Sequence, residues 1–328
     1  MTISARSFAK INLGLRIGAL RGDGFHELLT IYQTIGLHDV IRVSVQRGCG
    51  IEIRCSDPRV PKDESNTCYR IVEKSMQALN AKGRVVVEIE KRLPVQGGLG
   101  GASANAVAAL LGLERAVKKA LPAGERLRIA AEVGSDLPLF LVGGTVLGVG
   151  RGEQVYALVD LPATACVVVT PEVGVSTPGA FAQWDRRMGQ TEASELTMPG
   201  ASDRMIELGR GLSAWLSERY SGAPRQISRR GRAENPLLEL VRAGIKNDFE
   251  QVGFPEYPEL SEGKSALERV GAKYASLSGS GSTLYGLFAS KKAARAAAER
   301  LKTQGWAAQA TVTLTRREYW KKFLVSSF

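Results

Sequence analysis

The sequence predicts an α+β fold in two units, residues 1–160 and 161–328. Three observations carry this. A chain of 328 residues exceeds the usual length of one domain. The first half reads as strands, then a glycine-rich loop, then helices. From about residue 161 the order becomes strand, helices, strand, strand, helix, strand, which is the ferredoxin-like split βαβ arrangement.

In the first unit, residues 5–17 alternate. Ala9, Ile11, Leu13, Leu15 and Ile17 share one face, and Lys10, Asn12, Gly14 and Arg16 the other. Lys10 and Asn12 therefore project together from one strand. Taken alone, such a lysine reads as part of a solvated edge strand. Arg21-Gly22-Asp23-Gly24 is a turn signal, followed by Phe25-His26-Glu27 and an apolar segment from Leu28 to Leu37. A residue just after a glycine turn sits where binding groups are often displayed. Val40 to Val45 and Ile51 to Cys55 read as the two strands of a hairpin around Gly48-Cys49-Gly50. Asn66 to Ala81 is helical, capped by Ser65 or Asn66. Val85, Val87 and Ile89 alternate with Val86, Glu88 and Glu90, a strand. Ala102 to Arg115 carries apolar residues at 102, 106, 109, 110 and 113, which is helical spacing. A second helix runs from Gly124 to Val133. Asp136 then precedes a turn and the apolar run Leu137-Pro138-Leu139-Phe140, where an Asp reads first as a helix N-cap. Thr145 to Val149 and Gln154 to Leu158 are short strands.

In the second unit, Ala165 to Thr170 is an apolar strand. Thr177 opens a helix carrying Phe181 and Trp184, and Met188 to Gly200 reads as a polar loop. Asp203 to Tyr220, Pro236 to Gln251 and Glu259 to Val270 are helical. Strand Lys273 to Ser278 leads through Gly279-Ser280-Gly281-Ser282 into strand Thr283 to Phe288. Ser290 caps a helix from Lys291 to Leu301, and Ala308 to Leu314 is the last strand.

The chemistry centres on Pro94-Val95-Gln96-Gly97-Gly98-Leu99-Gly100-Gly101-Ala102-Ser103-Ala104-Asn105. Glycines at 97, 98, 100 and 101 permit positive φ and close approach to the main chain. Strand, glycine loop and helix start together aim free N–H groups and the positive end of a helix dipole at an anion. The loop reads as a phosphate cradle rather than a plain tight turn. It is not a Walker loop, since no Lys-Ser or Lys-Thr closes it; Gly263-Lys264-Ser265 has Pro258 in place of the first glycine. Nor is it a dinucleotide fingerprint, because Ser103 occupies the third glycine position.

Composition narrows the class. The net charge of +11 fits either a nucleic-acid partner or an enzyme of polyphosphate substrates. The densest basic run, Arg225 to Arg232, lacks the aromatics that stack bases and reads as a solvated loop. No run of 18 apolar residues spans a membrane, and Met1 to Lys10 lacks the apolar core of a signal peptide. The four cysteines form no CxxC pair, so no zinc site is expected, and free thiols point to the cytoplasm.

The loop at 94–105 resembles the ATP loop of the GHMP kinase superfamily. Ala9-Lys10-Ile11-Asn12-Leu13 and Gly279-Ser280-Gly281-Ser282 are similar to that superfamily's other two motifs, in the same order. Gly22-Asp23-Gly24-Phe25-His26, Lys91-Arg92-Leu93-Pro94 and Gly134 to Phe140 look like the branch that phosphorylates the 2-hydroxyl of a cytidine-diphosphate-linked methylerythritol in the non-mevalonate isoprenoid route. The resemblance implies the GHMP kinase fold, a ribosomal-protein-S5-domain-2-like domain followed by a ferredoxin-like one. It implies Lys10 and Asp136 as the catalytic pair, with Asn12 steadying the lysine or the substrate. ATP would lie on Pro94, Val95, Gln96, Gly97, Gly98, Leu99, Gly100, Gly101, Ala102, Ser103 and Ala104. Phe25 and His26, with Thr177, Pro178 and Phe181 of the second unit, would form the cytidine pocket, Phe25 and Phe181 flanking the base. Mg2+ would accompany ATP; no carboxylate matches a ligand, which leaves ATP, water and Ser103. The partners implied are ATP and the small-molecule substrate, with no membrane and no nucleic acid, in a monomer or weak homodimer. Phe25 stands where many members carry Tyr, and Leu137 and Leu139 stand for Val and Phe. The rival readings are another GHMP kinase, of homoserine or mevalonate type, and a non-catalytic basic RNA-binding module.

Overall fold

The computed structural model describes residues 1–95, 97–192, 201–220, 235–242 and 245–325. The period-2 alternation near the N-terminus becomes β1 (Thr2–Leu20), which pairs antiparallel with β2 (His26–Gln46) in one long ribbon. Bulges after Phe8 and Asn12 re-aim the side chains, and the register sets Lys10 opposite Thr34 and Asn12 opposite Tyr32. β4 (Arg84–Glu90) lies antiparallel on one part of β2, and β5 (Thr145–Val149) on another, with β6 (Gln154–Ala157) beyond it.

β3 (Ile51–Cys55) is not the hairpin partner of β2. It runs parallel to β4, giving the path β3-β4-β2-β5-β6. The reason is α1 (Thr67–Ala78), which buries Cys68, Ile71 and Val72 and makes the crossover that parallel neighbours require. Asn66 caps α1 by accepting from the Cys68 N–H. α2 (Gly101–Val117) is buried almost all round, with Val107, Leu110 and Leu113 in the same core as Ile41, Val43, Val85 and Val87 of the sheet. α3 (Ala123–Val133) and α4 (Leu137–Val142) complete that layer.

The second sheet has the order β10-β7-β9-β8, every neighbour antiparallel, as the ferredoxin-like reading expects: β7 (Ala165–Val169), β8 (Tyr274–Leu277), β9 (Leu284–Phe288) and β10 (Ala308–Val312). α5 (Thr177–Glu192), α6 (Ala201–Tyr220), α7 (Pro236–Arg242), α8 (Glu250–Glu256) and α9 (Pro258–Arg269) lie between β7 and β8. α10 (Lys291–Thr303) is capped by Ser290, which accepts from the Ala293 N–H. Ala9, Ile11 and Leu13 of β1 share a core with Val168, Tyr285 and Leu287, so one face of β1 is spent on joining the two sheets.

Three further expectations change. The helix over Pro236 to Gln251 is broken at Asn247, because the backbone there bonds to β1 instead: Leu15 N–H donates to Lys246 O and Asp248 N–H to Leu15 O. The loop from Met188 is helical to Glu192, and its remainder, like the basic run Arg225 to Arg232, lies outside the described residues. A last helix, α11 (Arg316–Phe323), was not expected, although Thr315-x-x-Glu318 spells the capping box that starts it. It packs back on the first unit, where Tyr319 Oη donates to Phe140 O at 2.8 Å. Thr315→Ala should therefore lower stability by about 1 kcal/mol, read as a lower urea midpoint at unchanged slope. An unchanged midpoint would mean that the cap contributes nothing.

Among the described residues no helix is long and apolar enough to cross a membrane.

Candidate active site

The glycine loop is built against two other segments. Lys10 N–H donates to Leu99 O at 2.9 Å, which ties the loop to β1. On its other side the loop meets residues 278–283. Thr283 N–H donates to Gly97 O at 3.2 Å and Ser278 Oγ to Gly98 O at 3.1 Å. The backbones touch: a Cβ on Gly98 (φ +76°) would stand 2.3 Å from Ser278 O, and one on Gly281 2.6 Å from Gly98 N. Gly100 then takes the left-handed N-cap position of α2 with no side chain capping it. The first bond of that helix runs from Ala104 N–H to Gly100 O, so the N–H groups before it are left for an anion.

Asn247 and Glu250 hold the second glycine loop, and the sequence pattern hid both inside a helix. Asn247 Nδ2 donates to Leu277 O and Gly279 O, each at 2.9 Å. Glu250 Oε1 accepts from Ser276 Oγ at 2.7 Å and from Leu277 N–H at 2.9 Å.

Lys10 is not on a solvated edge. It is 3% exposed, and its Nζ donates to Asn12 Oδ1 at 2.6 Å. Asn12 Nδ2 donates to Thr30 Oγ1 at 2.8 Å, and Thr30 Oγ1 to Gly14 O at 2.9 Å, so the asparagine is fixed in turn. Asp136 does occupy the N-cap position of α4, but its side chain caps nothing. Its Oδ2 lies 3.4 Å from Lys10 Nζ, and its Oδ1 accepts from Tyr32 Oη at 3.1 Å. Burial first, and the Asp136 charge second, hold the Tyr32 phenol well above its ordinary pKa, so it stays a donor. Gly279 closes the group: a Cβ there would stand 3.2 Å from Asn12 Oδ1 and 3.3 Å from Lys10 Nζ. Three motifs spread over 270 positions thus meet at one point.

That point lies within a cleft of about 860 Å³. Pro94, Val95, Gly97 to Ser103, Lys10, Asn12 and Asp136 line it, as do Phe25, His26, Thr177, Pro178 and Phe181. Of the loop residues expected to face ATP, Ala104 instead turns into the core and Gln96 lies outside the described residues. At one end His26 is 9% exposed, and its Nδ1 lies 3.1 Å from Gly18 O, to which it donates. Nε2 is buried without a hydrogen bond; Asp185 Oδ1 is 2.8 Å away but out of line. Phe181 stacks on the His26 ring, with centroids 5.4 Å apart and planes 9° apart. It therefore backs His26, while the Phe25 ring is half-exposed with the Arg151 guanidinium 4.9 Å from its centroid. Thr177 Oγ1 is 2.9 Å from Ser280 Oγ, which fastens α5 to the second glycine loop. At the other end Val60, Pro61, Asn66 and Thr67 form a wall that sequence reasoning missed. Thr67 Oγ1 donates to Ala102 O at 2.9 Å, joining that wall to the start of α2. Among the described residues no group of three or more His, Cys, Asp or Glu gathers as a metal site.

Residues 66–144 match the family model described as the GHMP kinases N terminal domain, and residues 233–307 that described as GHMP kinases C terminal. The chain is 37% identical over 296 residues to a 4-diphosphocytidyl-2-C-methyl-D-erythritol kinase of Solibacter usitatus (strain Ellin6076), covering 90% of this chain and 84% of that one. It is 34% identical over 298 residues to the enzyme of the same name of Acaryochloris marina (strain MBIC 11017), covering 90% of each. A crystal structure of 4-(cytidine 5'-diphospho)-2C-methyl-D-erythritol kinase superposes with a TM-score of 0.70 at 28% identity, over 95% of this chain and 99% of that one. A homoserine kinase from Cytophaga hutchinsonii, at a TM-score of 0.66 and 18% identity, shares the fold. The chain belongs to the 4-diphosphocytidyl-2-C-methyl-D-erythritol kinase family, a family of GHMP small-molecule kinases.

Proposed function

We propose that the protein transfers the γ-phosphoryl group of ATP to the 2-hydroxyl of 4-diphosphocytidyl-2-C-methyl-D-erythritol, a step of non-mevalonate isoprenoid precursor synthesis. The observation that carries this is the convergence of Lys10, Asn12 and Asp136 with both glycine loops in one cleft that ends at His26.

Phosphoryl transfer through a loose transition state needs positioning and charge neutralisation more than covalent help. The ATP phosphates lie on the free N–H groups at the start of α2, and the adenosine end rests toward Val60, Pro61 and Asn66. The γ-phosphorus then faces Lys10, whose ammonium offsets the charge building on its oxygens. The substrate oxygen bonds to that phosphorus as the bond to the bridging β,γ-oxygen breaks, and ADP leaves. Asp136 takes the hydroxyl proton. Held by Lys10 and the Tyr32 hydroxyl, it acts chiefly by orienting the substrate hydroxyl and receives the proton late. The Ser103 hydroxyl in the cleft lining would hold Mg2+ together with ATP oxygens and water, few protein oxygens being needed, and the ion would supply further neutralisation of the phosphate charge.

At the far end His26 Nδ1–H is spent on Gly18 O, and Nε2 accepts from the cytosine amino group once Asp185 Oδ1, 2.8 Å away, turns aside for the base. Thr177, Pro178 and Phe181 complete that pocket from α5. The catalytic unit is residues 1–160 and the ferredoxin-like unit 161–328, the latter returning α11 to the former. The enzyme works in the cytoplasm, where its free cysteines stay reduced.

A coupled assay of ADP release against the cytidylyl substrate, homoserine and mevalonate tests the proposal. Only the first should turn over; turnover of either other alcohol alone would overturn it. His26→Ala should raise KM for the cytidylyl substrate by about 10-fold or more and leave ATP affinity unchanged. Lost stability at unchanged KM would assign His26 to holding the turn instead.

A further inference from the structure

We propose that Arg151 recognises the diphosphate of the substrate and so sets the preference for a nucleoside-diphosphate-linked alcohol. This rests on the cytidylyl-substrate reading and adds a specificity-determining residue to it.

The placement of Arg151 is rigid. It sits in the turn Gly150-Arg151-Gly152 between β5 and β6, and both glycines have positive φ. Leu28 N–H donates to Gly150 O at 2.6 Å, and Gly150 N–H to Glu27 Oε1 at 3.0 Å. Gly152 lies so close to Tyr32 that a Cβ there would stand 2.4 Å from its hydroxyl oxygen. That hydroxyl is the one bonded to Asp136. The backbone of Arg151 is thus fixed beside the transfer point, while its guanidinium reaches to 4.9 Å from the Phe25 ring centroid, next to His26. The side chain spans the stretch from the reacting hydroxyl to the base. A cytidine joined to an alcohol through a diphosphate must lay its two negative charges along that stretch.

The cations along the cleft distinguish Arg151 further. Lys10 is held by Asn12 and Asp136. Lys91 Nζ lies 2.8 Å from Asp39, and Arg59 Nη2 2.7 Å from Asp57. The nearest carboxylate oxygen to the Arg151 side chain is Glu153 Oε1, 3.8 Å from Nε and too far for a hydrogen bond, while Glu153 Oε2 accepts from the Arg151 backbone N–H at 2.6 Å. Among the described Lys and Arg residues that line the cleft, Arg151 alone makes no side-chain hydrogen bond. A guanidinium offers a planar fork that matches phosphate oxygens, and the Phe25 ring holds it ready.

The test compares binding of cytidine and of cytidine diphosphate by calorimetry, with the ATP site filled by a non-hydrolysable ATP analogue. Wild type should prefer the diphosphate by about 10- to 100-fold, the worth of charge-assisted hydrogen bonds, and added salt should reduce the preference. In Arg151→Gln the two ligands should bind within about threefold of each other, with Arg151→Lys between. The Gln variant should also raise KM for the cytidylyl substrate at nearly unchanged kcat and ATP KM, a split that loss of fold would not produce. A diphosphate preference that survives in Arg151→Gln, or is missing from wild type, would overturn the inference. Failure of wild type to bind either ligand would instead overturn the cytidine pocket, and Arg151's role with it.

Discussion

Replacing Lys10 by Met is expected to lower kcat by about 10² or more with little change in either KM, the mark of an interaction made only in the transition state. Methionine keeps the stem that fills the buried channel and removes the ammonium. The Asn12 carbonyl then loses its donor and Asp136 its counter-charge. Asp136→Asn should have a loss of similar size, because an amide cannot take the proton, although it can still accept from Tyr32. The double variant should be far from additive, since lysine and aspartate act on the same atoms as one unit. Near wild-type kcat in either single variant would remove the pair from the reaction.

Gly98→Ala should be almost as damaging, by a different route. The residue has φ +76°, where any Cβ is strained by about 1–2 kcal/mol. Its Cβ would also stand 2.3 Å from Ser278 O, a backbone atom that cannot swing away. The two glycine loops would have to part, and the start of α2 would lose its alignment with Lys10. Calorimetry with an ATP analogue should show affinity reduced by at least about 10-fold in a protein that still unfolds cooperatively. Gly100→Val should act similarly, because its Cβ would stand 3.1 Å from Lys10 Cγ and 3.0 Å from the Phe140 ring. Unchanged nucleotide affinity in either folded variant would mean that the cradle lies elsewhere.

What could be read in the sequence follows the range of the physics. The facing of Lys10 and Asn12 is a period-2 property and needs only neighbours, so it was legible. The glycine loop and the Asn66 and Ser290 caps are equally local. The burial of Lys10 was not legible, because it depends on a glycine loop some ninety residues later. Asp136 was legible as a helix start, and it is one, but its side-chain partners come from β1 and β2. Tyr32 lay in an apolar segment with nothing to single it out until the register set it opposite Asn12. The pairing of β3 with β4 was misread because adjacent short strands suggest a hairpin, and only the packing of α1 dictates the crossover. Asn247 broke a helical pattern for the sake of bonds to β1 and β8, which no local signal records. The aromatic pair was half legible: Phe25 and Phe181 do reach one cleft, but Phe181 lies on His26. α11, by contrast, had its capping box in plain view.

The measurement that bears most directly on the account is kcat/KM for the cytidylyl substrate against its uridylyl counterpart, with ATP saturating. Uracil exchanges donor for acceptor at two positions, so the buried His26 Nε2 would face a carbonyl where it needs an amino group. A site built on such hydrogen bonds leaves its own polar groups unpaired with the wrong ligand. The account predicts that the uridylyl compound is at least about 10²-fold poorer. Equal kcat/KM for the two would contradict it.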